Sequence, residues 1–148
     1  MIIGIGVDIV DLSSFTGSFN KSKRFRQRVF TENEIFYCES KPNKYQHYAA
    51  RFVVKEAVMK AIGTGWDKGV QWKQIETGNF GIVTPDTTDW KKEMEIGGGK
   101  PEIRLRGKAL EQTKKMGVNK IFVSLSHSET QVIAFIIIEG NVGLETEK

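Results

Sequence analysis

Residues 51–65, RFVVKEAVMKAIGTG, decide the fold of this chain. Their apolar positions recur at i, i+3, i+4, i+7 and i+8, the spacing of one face of an α-helix. The spacing predicts a long helix that buries one stripe and ends at Ile62, directly before a flexible Gly-Thr-Gly loop. The predicted stripe consists of Val54, Ala57, Val58, Ala61 and Ile62.

The opposite side of this helix carries Glu56 and Lys60, an acid and a base one turn apart. On most helices such a pair is a solvated ion pair that contributes only about 0.2–0.5 kcal/mol. The pair also lies beside Gly63-Thr64-Gly65, a loop rich in available backbone N–H groups. That position is suited to holding a metal ion and a phosphate together. From these residues alone, both interpretations stay open.

Composition sets limits on the class of protein. The chain has 148 residues, of which 39% are hydrophobic and 27% charged, as expected for one soluble globular domain. The single cysteine excludes an internal disulfide framework. The one cysteine and two histidines do not have the spacing of a zinc site. The N-terminus lacks a basic signal-peptide region, and the longest apolar run, 132–138, is too short to span a membrane. We therefore expect a cytoplasmic protein with no membrane partner.

The whole pattern predicts an α+β domain over residues 1–139 with a mainly antiparallel sheet, and a disordered tail over 140–148. Ser13 or Ser14 is expected to cap a short helix, Gly117 to end another in the left-handed conformation, and 128–130 to form a hairpin turn. Strands are predicted at 2–9, 71–76, 80–83, 102–106, 121–126 and 131–139, and the last of them is expected to be fully buried. Further helices are predicted at 31–38 and 107–116, and a loop is predicted at 84–100.

Asp8 follows a strand whose other residues are nearly all apolar. Such a residue often caps the next helix or closes a turn. Magnesium, however, takes one or two protein carboxylates and completes its octahedron with phosphate oxygens and waters. Asp8 and Glu56 meet that demand if the fold brings them together, and Lys60 would then face the same phosphates as a point charge.

The sequence SLSHS at 124–128 places His127 and flanking hydroxyls where a strand becomes a turn. The hydroxyls could satisfy local backbone groups, or the set could contact a phosphate. A serine hydrolase is disfavoured because no G-x-S-x-G elbow is present. Neither a Walker loop nor a complete G-x-G-x-x-G occurs, which disfavours nucleotide binding of those kinds.

The segment KSKRFRQR at 21–28 concentrates five cations in a chain of net charge +4 and suggests an acidic partner. One alternative is a non-catalytic module that binds RNA or DNA through these cations and Phe25. That alternative leaves Asp8, Glu56 and the Gly-Thr-Gly loop unexplained. Phe19, Phe25 and Phe30 do not share one helical stripe, so at least one of them is expected to be exposed.

Five motifs occur in order along the chain: GIGVDIVDL at 4–12, FTENEI at 30–35, RFVVKEAVMKAIGTG at 51–65, GKPEIRL at 99–105 and SLSHS at 124–128. Together they resemble the holo-[acyl-carrier-protein] synthases, the small bacterial type of 4′-phosphopantetheinyl transferase. The resemblance implies transfer of 4′-phosphopantetheine from coenzyme A to a serine of an apo acyl carrier protein, with release of adenosine 3′,5′-bisphosphate. This sequence departs from the family pattern at two places: Ser14 stands where the family often has Arg, and the segment over 84–98 is longer than the family's usual connection.

The resemblance also implies roles for individual residues. Asp8 and Glu56 become Mg²⁺ ligands, and Lys60 becomes the cation on the reacting phosphates. The implied coenzyme A contacts are Arg51, Lys60, Gly63, Thr64, Gly65 and His127, with Lys41 or Lys44 at the 3′-phosphate. The implied contacts to an acidic carrier protein are Lys21, Lys23, Arg24, Arg26 and Arg28, with Phe25 as an apolar anchor. The family further implies a homotrimer with sites shared between subunits and no nucleic-acid partner. No motif encodes which carrier or pathway is served.

Overall fold

The computed structural model describes residues 1–63, 69–78 and 102–141, and it confirms the α+β class. The predicted strand at 80–83, the loop at 84–100 and the tail from residue 142 lie outside the described residues. In chain order the elements are β1 (Ile2–Asp11), α1 (Leu12–Lys21), α2 (Lys23–Val29), α3 (Glu32–Glu39), α4 (Lys44–Ala61), a 3₁₀ turn (Trp72–Gln74), β2 (Ile75–Gly78), β3 (Glu102–Leu105), α5 (Gly107–Met116), β4 (Val118–His127) and β5 (Gln131–Gly140).

The main sheet has three antiparallel strands in the order β1-β5-β4, and β2 pairs with β3 in a separate antiparallel ribbon. The predicted hairpin between β4 and β5 is confirmed, with the Ser128 N–H donating to the Gln131 carbonyl at 2.9 Å. Alternate residues of β5 are buried against α4. Phe135 is 40% exposed on the other face, so the expectation of a fully buried strand is wrong for the single chain.

The long helix α4 is the centre of the core. All five residues of the predicted stripe are buried. The prediction of a single buried stripe is nevertheless too narrow, because Tyr48, Val53, Lys55 and Met59 are buried as well. The reason is that α4 packs against the sheet on one side and against α1, α3 and β2 on others. Lys60 stays exposed.

Two glycines of β1 allow α4 to approach the sheet closely. A Cβ on Gly6 would lie 1.8 Å from the Ala57 carbonyl oxygen, and one on Gly4 would lie 2.3 Å from the Ala61 carbonyl oxygen. Both obstacles are helix backbone, which cannot swing aside as a side chain can. Only glycine therefore permits this distance between β1 and α4.

The helix ends partly follow the predictions. Thr31 forms the predicted capping box with Glu34, and Gly117 ends α5 with a φ of 77°. The predicted caps Ser13 and Ser14 are wrong, because the carboxylate of Asp11 caps α1 by accepting the Ser14 N–H at 3.2 Å. The strand predicted for 71–76 begins instead at residue 75, after a 3₁₀ turn.

The phenylalanines of the first two helices form one aromatic cluster. The Phe25 ring centroid lies 6.0 Å from those of Phe15, Phe19 and Phe52. Phe19 and Phe30 are buried and Phe25 is half-buried, so the expectation that one of these three is exposed is wrong. The chain bends between α1 and α2, and the rings meet although they share no helical stripe.

Candidate active site

The fold brings Asp8 and Lys60 together. The β1 register places Asp8 opposite Ala134, a buried residue on the face that packs against α4. Lys60 Nζ lies 3.2 Å from Asp8 Oδ1 and donates to the Val7 carbonyl at 3.0 Å. The Asp8 side chain is 16% exposed and that of Lys60 is 54% exposed. Because Asp11 caps α1, Asp8 is not used as a helix cap.

Glu56 belongs to the same electrostatic group. Burial raises the pKa of Glu56 above its usual range, the negative charge of Asp8 raises it further, and Lys60 lowers it. Two carboxylates that repel each other in a half-buried place, with one cation beside them, favour a further positive charge. The predicted trio of Asp8, Glu56 and Lys60 is thus assembled on facing surfaces of β1 and α4.

The donors suit a particular kind of metal. Among the described residues there is no group of three or more His, Cys, Asp or Glu side chains that could hold a metal ion by itself. Asp8 and Glu56 offer two carboxylates, which suits Mg²⁺ with a phosphate substrate and does not suit a zinc site built wholly from protein ligands.

A separate cavity of about 310 Å³ opens near the N-terminal half of α4. Its wall contains Tyr37 from α3, His47 and Arg51 from α4, and His127 from the end of β4. Two of the predicted coenzyme A contacts, Arg51 and His127, therefore share this cavity. Asp8, Glu56 and Lys60 are not part of its wall.

Arg51 has an unsatisfied donor at this cavity. Its guanidinium carbon lies 4.2 Å from the centroid of the Tyr37 ring, and the residue is 6% exposed. Nη1 donates to the His47 carbonyl at 3.5 Å, whereas the buried Nε has no hydrogen-bond partner within the described part of the chain. A buried guanidinium with a free donor favours an anion in the cavity.

The remaining predicted contacts are more scattered. Gly63 follows α4 with a φ of 67°, and Thr64 and Gly65 lie outside the described residues. Lys44 Nζ is 3.5 Å from Glu39 Oε1 and lies over the Tyr45 ring. The hydroxyl of Ser128 accepts the backbone N–H groups of Thr130 and Gln131, which is the turn chemistry left open for SLSHS.

Sequence reasoning missed three residues near the site. Tyr37 of α3 and His47 of α4 line the cavity, and no motif or spacing in the sequence marks either of them. Lys55 is fully buried and pairs with Glu34 at 2.8 Å between Nζ and Oε1. Lys55 was not part of the predicted buried stripe, and no local pattern identifies Glu34 as its partner because Glu34 lies on a different helix.

The basic segment is displayed on and around α2. Arg26 already forms an ion pair within the chain, because its Nη1 lies 3.8 Å from Glu39 Oε2. Exposed cations of the segment are Lys21, Lys23, Arg24 and Arg28. Phe25, predicted as an apolar anchor for a partner, packs into the aromatic cluster and has a structural role there. Within the described residues, no helix is long and apolar enough to cross a membrane.

Comparisons with known proteins identify the family of the chain. The family model of the 4′-phosphopantetheinyl transferase superfamily matches residues 4–97. A curated holo-[acyl-carrier-protein] synthase of Geotalea daltonii is 41% identical over 140 residues, covering 94% of this chain and 99% of the relative. The synthase of Cytophaga hutchinsonii is 42% identical over 141 residues, covering 95% of this chain and 100% of the relative.

Solved structures are similar over the same length. The holo-[acyl-carrier-protein] synthase of Neisseria meningitidis has a TM-score of 0.75 and 29% identity, covering 94% of this chain and 99% of that one. The synthase of Bacillus anthracis, described as a complex with CoA (3′,5′-ADP), has a TM-score of 0.68 and 29% identity, covering 95% and 99%. The chain therefore belongs to the 4′-phosphopantetheinyl transferase superfamily and, within it, to the holo-[acyl-carrier-protein] synthases.

Proposed function

We propose that the chain transfers 4′-phosphopantetheine from coenzyme A to a serine of an apo acyl carrier protein, with Mg²⁺, and releases adenosine 3′,5′-bisphosphate. The observation that carries the proposal is the meeting of Asp8 and Lys60 beside Glu56, at the surface where α4 packs on β1. Family membership supports the enzyme over the nucleic-acid-binding alternative, and the Bacillus anthracis complex supports coenzyme A as the donor.

In this reaction the serine hydroxyl loses its proton to solvent, its oxygen forms a bond to the β-phosphorus, and the bond from that phosphorus to the departing bisphosphate breaks. Negative charge develops on the phosphate oxygens, and preorganised cations stabilise it. The half-exposed ammonium of Lys60 is held by Asp8 and the Val7 carbonyl, so it faces such oxygens without first being ordered. Lys60 therefore orients the pyrophosphate and stabilises its charge.

Asp8 and Glu56 are the residues that would hold Mg²⁺. Their repulsion helps to raise the pKa of Glu56, and a bound divalent cation would relieve it. When bound, the ion supplies Lewis-acid polarisation of the phosphoryl oxygens. The residues of this chain fit that ion because Mg²⁺ at phosphate sites is usually held by one or two protein carboxylates, and Asp8 and Glu56 supply two.

We further propose that Lys21, Lys23, Arg24, Arg26 and Arg28 attract an acidic carrier protein. Four of these cations are exposed on one short stretch of chain, which favours electrostatic steering of a negatively charged partner. The packing of Phe25 against Phe15 and Phe52 keeps α2 in place. In this arrangement Phe25 supports the basic surface from beneath, and its role as a direct anchor for the carrier protein stays a prediction. The cytoplasmic location of the chain also stays a prediction.

A homotrimer with sites at the subunit interfaces is also proposed. The sheet face opposite α4 exposes apolar side chains that water would otherwise contact. Its exposed members are Ile2, Ile5, Val7 and Ile9 of β1, Phe122 of β4 and Phe135 of β5. Neighbouring copies of the chain would bury this face, and both the number three and the sharing of sites between subunits rest on the family.

The decisive assay incubates the chain with coenzyme A, Mg²⁺ and an apo acyl carrier protein and measures the carrier by mass spectrometry. We expect a gain of one phosphopantetheine group.

Glu56→Gln should lower turnover by roughly 100-fold, the size typical for losing one electrostatic group at a reacting phosphate. Glu111→Gln, the same change at an exposed site on α5, is the matched control and should keep normal turnover. No mass gain with any carrier would refute the function, and normal turnover in Glu56→Gln would refute the ligand role.

A further inference from the structure

The cavity beside α4 holds a histidine to which neither the sequence motifs nor the comparisons assign a role. His47 lies in the first half of α4 and forms part of the cavity wall with Arg51 and His127. Its ring is perpendicular to that of Tyr37, with 5.5 Å between the centroids. The ring therefore has a defined position next to a place where Arg51 offers a free buried donor.

Within the described part of the chain, the charged groups that shift the pKa of His47 are all basic. Arg51 lies on the same helix, Lys41 lies in the loop before it, and His127 comes from β4. Burial lowers the pKa of His47, and the positive charges of Arg51, Lys41 and His127 lower it further. The Tyr37 ring faces His47 from α3. Together these effects favour the neutral form of the His47 ring.

The location identifies the anion. On the proposed function, the pyrophosphate of coenzyme A lies at Asp8, Glu56 and Lys60, none of which belongs to the cavity wall. The other anionic group of coenzyme A is its ribose phosphate monoester, which is a dianion above pH ~6.5. A dianion beside His47 opposes the charges that keep the ring neutral, and it favours the imidazolium.

We propose that His47 is a specificity-determining residue that takes up a proton from solvent when the phosphate monoester of coenzyme A enters this cavity. The proton binds the free ring nitrogen, so the neutral imidazole becomes a cation with a second N–H donor. The enzyme thereby recognises coenzyme A over dephospho-coenzyme A in a pH-dependent manner. This inference rests on the proposed function and adds a residue and a proton to it.

Calorimetric titration with coenzyme A and Mg²⁺ in buffers of different ionisation enthalpy tests the inference, because it counts the protons exchanged on binding. Near pH 7.5, wild type should take up more protons on binding coenzyme A than His47→Gln does. The phosphate of coenzyme A exchanges the same number of protons with both proteins, so the difference reports on His47. Tyr45→Phe, a change on the same turn outside the cavity wall, should match wild type. The preference for coenzyme A over dephospho-coenzyme A should fall as the pH rises from 6.5 to 8.5 in wild type, by up to about tenfold for one unit of pKa coupling. In His47→Gln this fall should be much smaller.

A second measurement uses the wild-type chain and does not depend on how the variant folds. The ring signals of the two histidines can be followed by NMR through a pH titration, with assignment from His127→Gln. The pKa of His47 should rise when coenzyme A binds and rise much less with dephospho-coenzyme A. If coenzyme A binds but the His47 titration is unchanged, the inference is overturned while the proposed function stands. If coenzyme A does not bind wild type at all, both are overturned.

Discussion

At the scale of single residues, the buried pair of Lys55 and Glu34 is the feature with the largest consequence. Both side chains are fully buried, and Lys55 Nζ also donates to the carbonyls of Trp72, at 3.0 Å, and Ile75. Glu34 accepts the Thr77 N–H at 3.1 Å. Burial lowers the pKa of Lys55, and the negative charge of Glu34 offsets part of that effect. The pair joins α4 to α3 and β2. Because Lys55 is the chain neighbour of Glu56, the pair also fixes the part of α4 that carries Glu56.

We predict that Lys55→Met lowers the free energy of unfolding by about 3–5 kcal/mol, because it leaves Glu34 buried without its partner. The double variant Lys55→Met with Glu34→Gln should recover part of this loss. Urea denaturation of wild type, both single variants and the double variant gives the coupling energy. Lys108→Met, which breaks an exposed ion pair to Glu111, is the control and should change stability by less than about 0.5 kcal/mol. A loss in Lys55→Met as small as this would contradict the prediction.

At the scale of elements, the contact between β1 and α4 determines whether a site exists. Asp8 and Lys60 belong to different elements, and they meet only because Gly4 and Gly6 let the helix backbone lie against the strand. A small displacement of α4 would separate the lysine from the carboxylate. The two glycines are therefore part of the site although they touch no substrate in the proposed reaction.

We predict that Gly6→Ala destabilises the chain by about 3 kcal/mol or more, since its Cβ would overlap the Ala57 carbonyl and force the two elements apart. Turnover should fall with it. Gly17→Ala is a matched control in α1, because nothing lies within 4 Å of its Cβ, and it should raise stability by about 0.5–1 kcal/mol. Thermal and urea unfolding at one protein concentration measure both changes. Equal stability of Gly6→Ala and wild type would show that the close approach is not required.

At the scale of the whole molecule, the sheet has two unlike faces. One face is covered by α4, and the other exposes isoleucine, valine and phenylalanine side chains across all three strands. Phe135 lies on the central strand of this outer face, in register with Val7 of β1 and Ser124 of β4. The arrangement explains why β5 reads as a strand buried on both sides. Association of copies of the chain would bury its outer residues.

We predict that Phe135→Lys dissociates the proposed trimer, because an ammonium in the middle of an apolar interface has no partner. Light scattering coupled to size-exclusion chromatography should show a trimer for wild type and a smaller species for the variant. Phe36→Lys makes the same change at a phenylalanine that is 75% exposed on α3, away from the sheet, and should remain trimeric. A monomeric wild type, or a Phe135→Lys variant that stays trimeric, would refute the proposed interface.

Local patterns in the sequence were sufficient where the physics is local. The long helix, the Thr31 capping box and the left-handed Gly117 depend on neighbours within one or two turns, and all three are confirmed. The cap of α1 was predicted wrongly, because Asp11, Ser13 and Ser14 are all good caps and the end of β1 decides among them. The strand at 71–76 failed because its first residues form a 3₁₀ turn, and the Trp72 carbonyl in that turn accepts from Lys55.

The sequence by itself determined the α+β class, the family and the group of Asp8, Glu56 and Lys60 as a site to look for. Only the tertiary structure decided which of these residues meet, what Lys55 pairs with, and that His47 shares a cavity with Arg51 and His127. The physical reason is distance along the chain. Helix periodicity and capping arise from neighbouring residues, whereas a contact between β1 and α4 or between α3 and α4 depends on how closely whole elements pack.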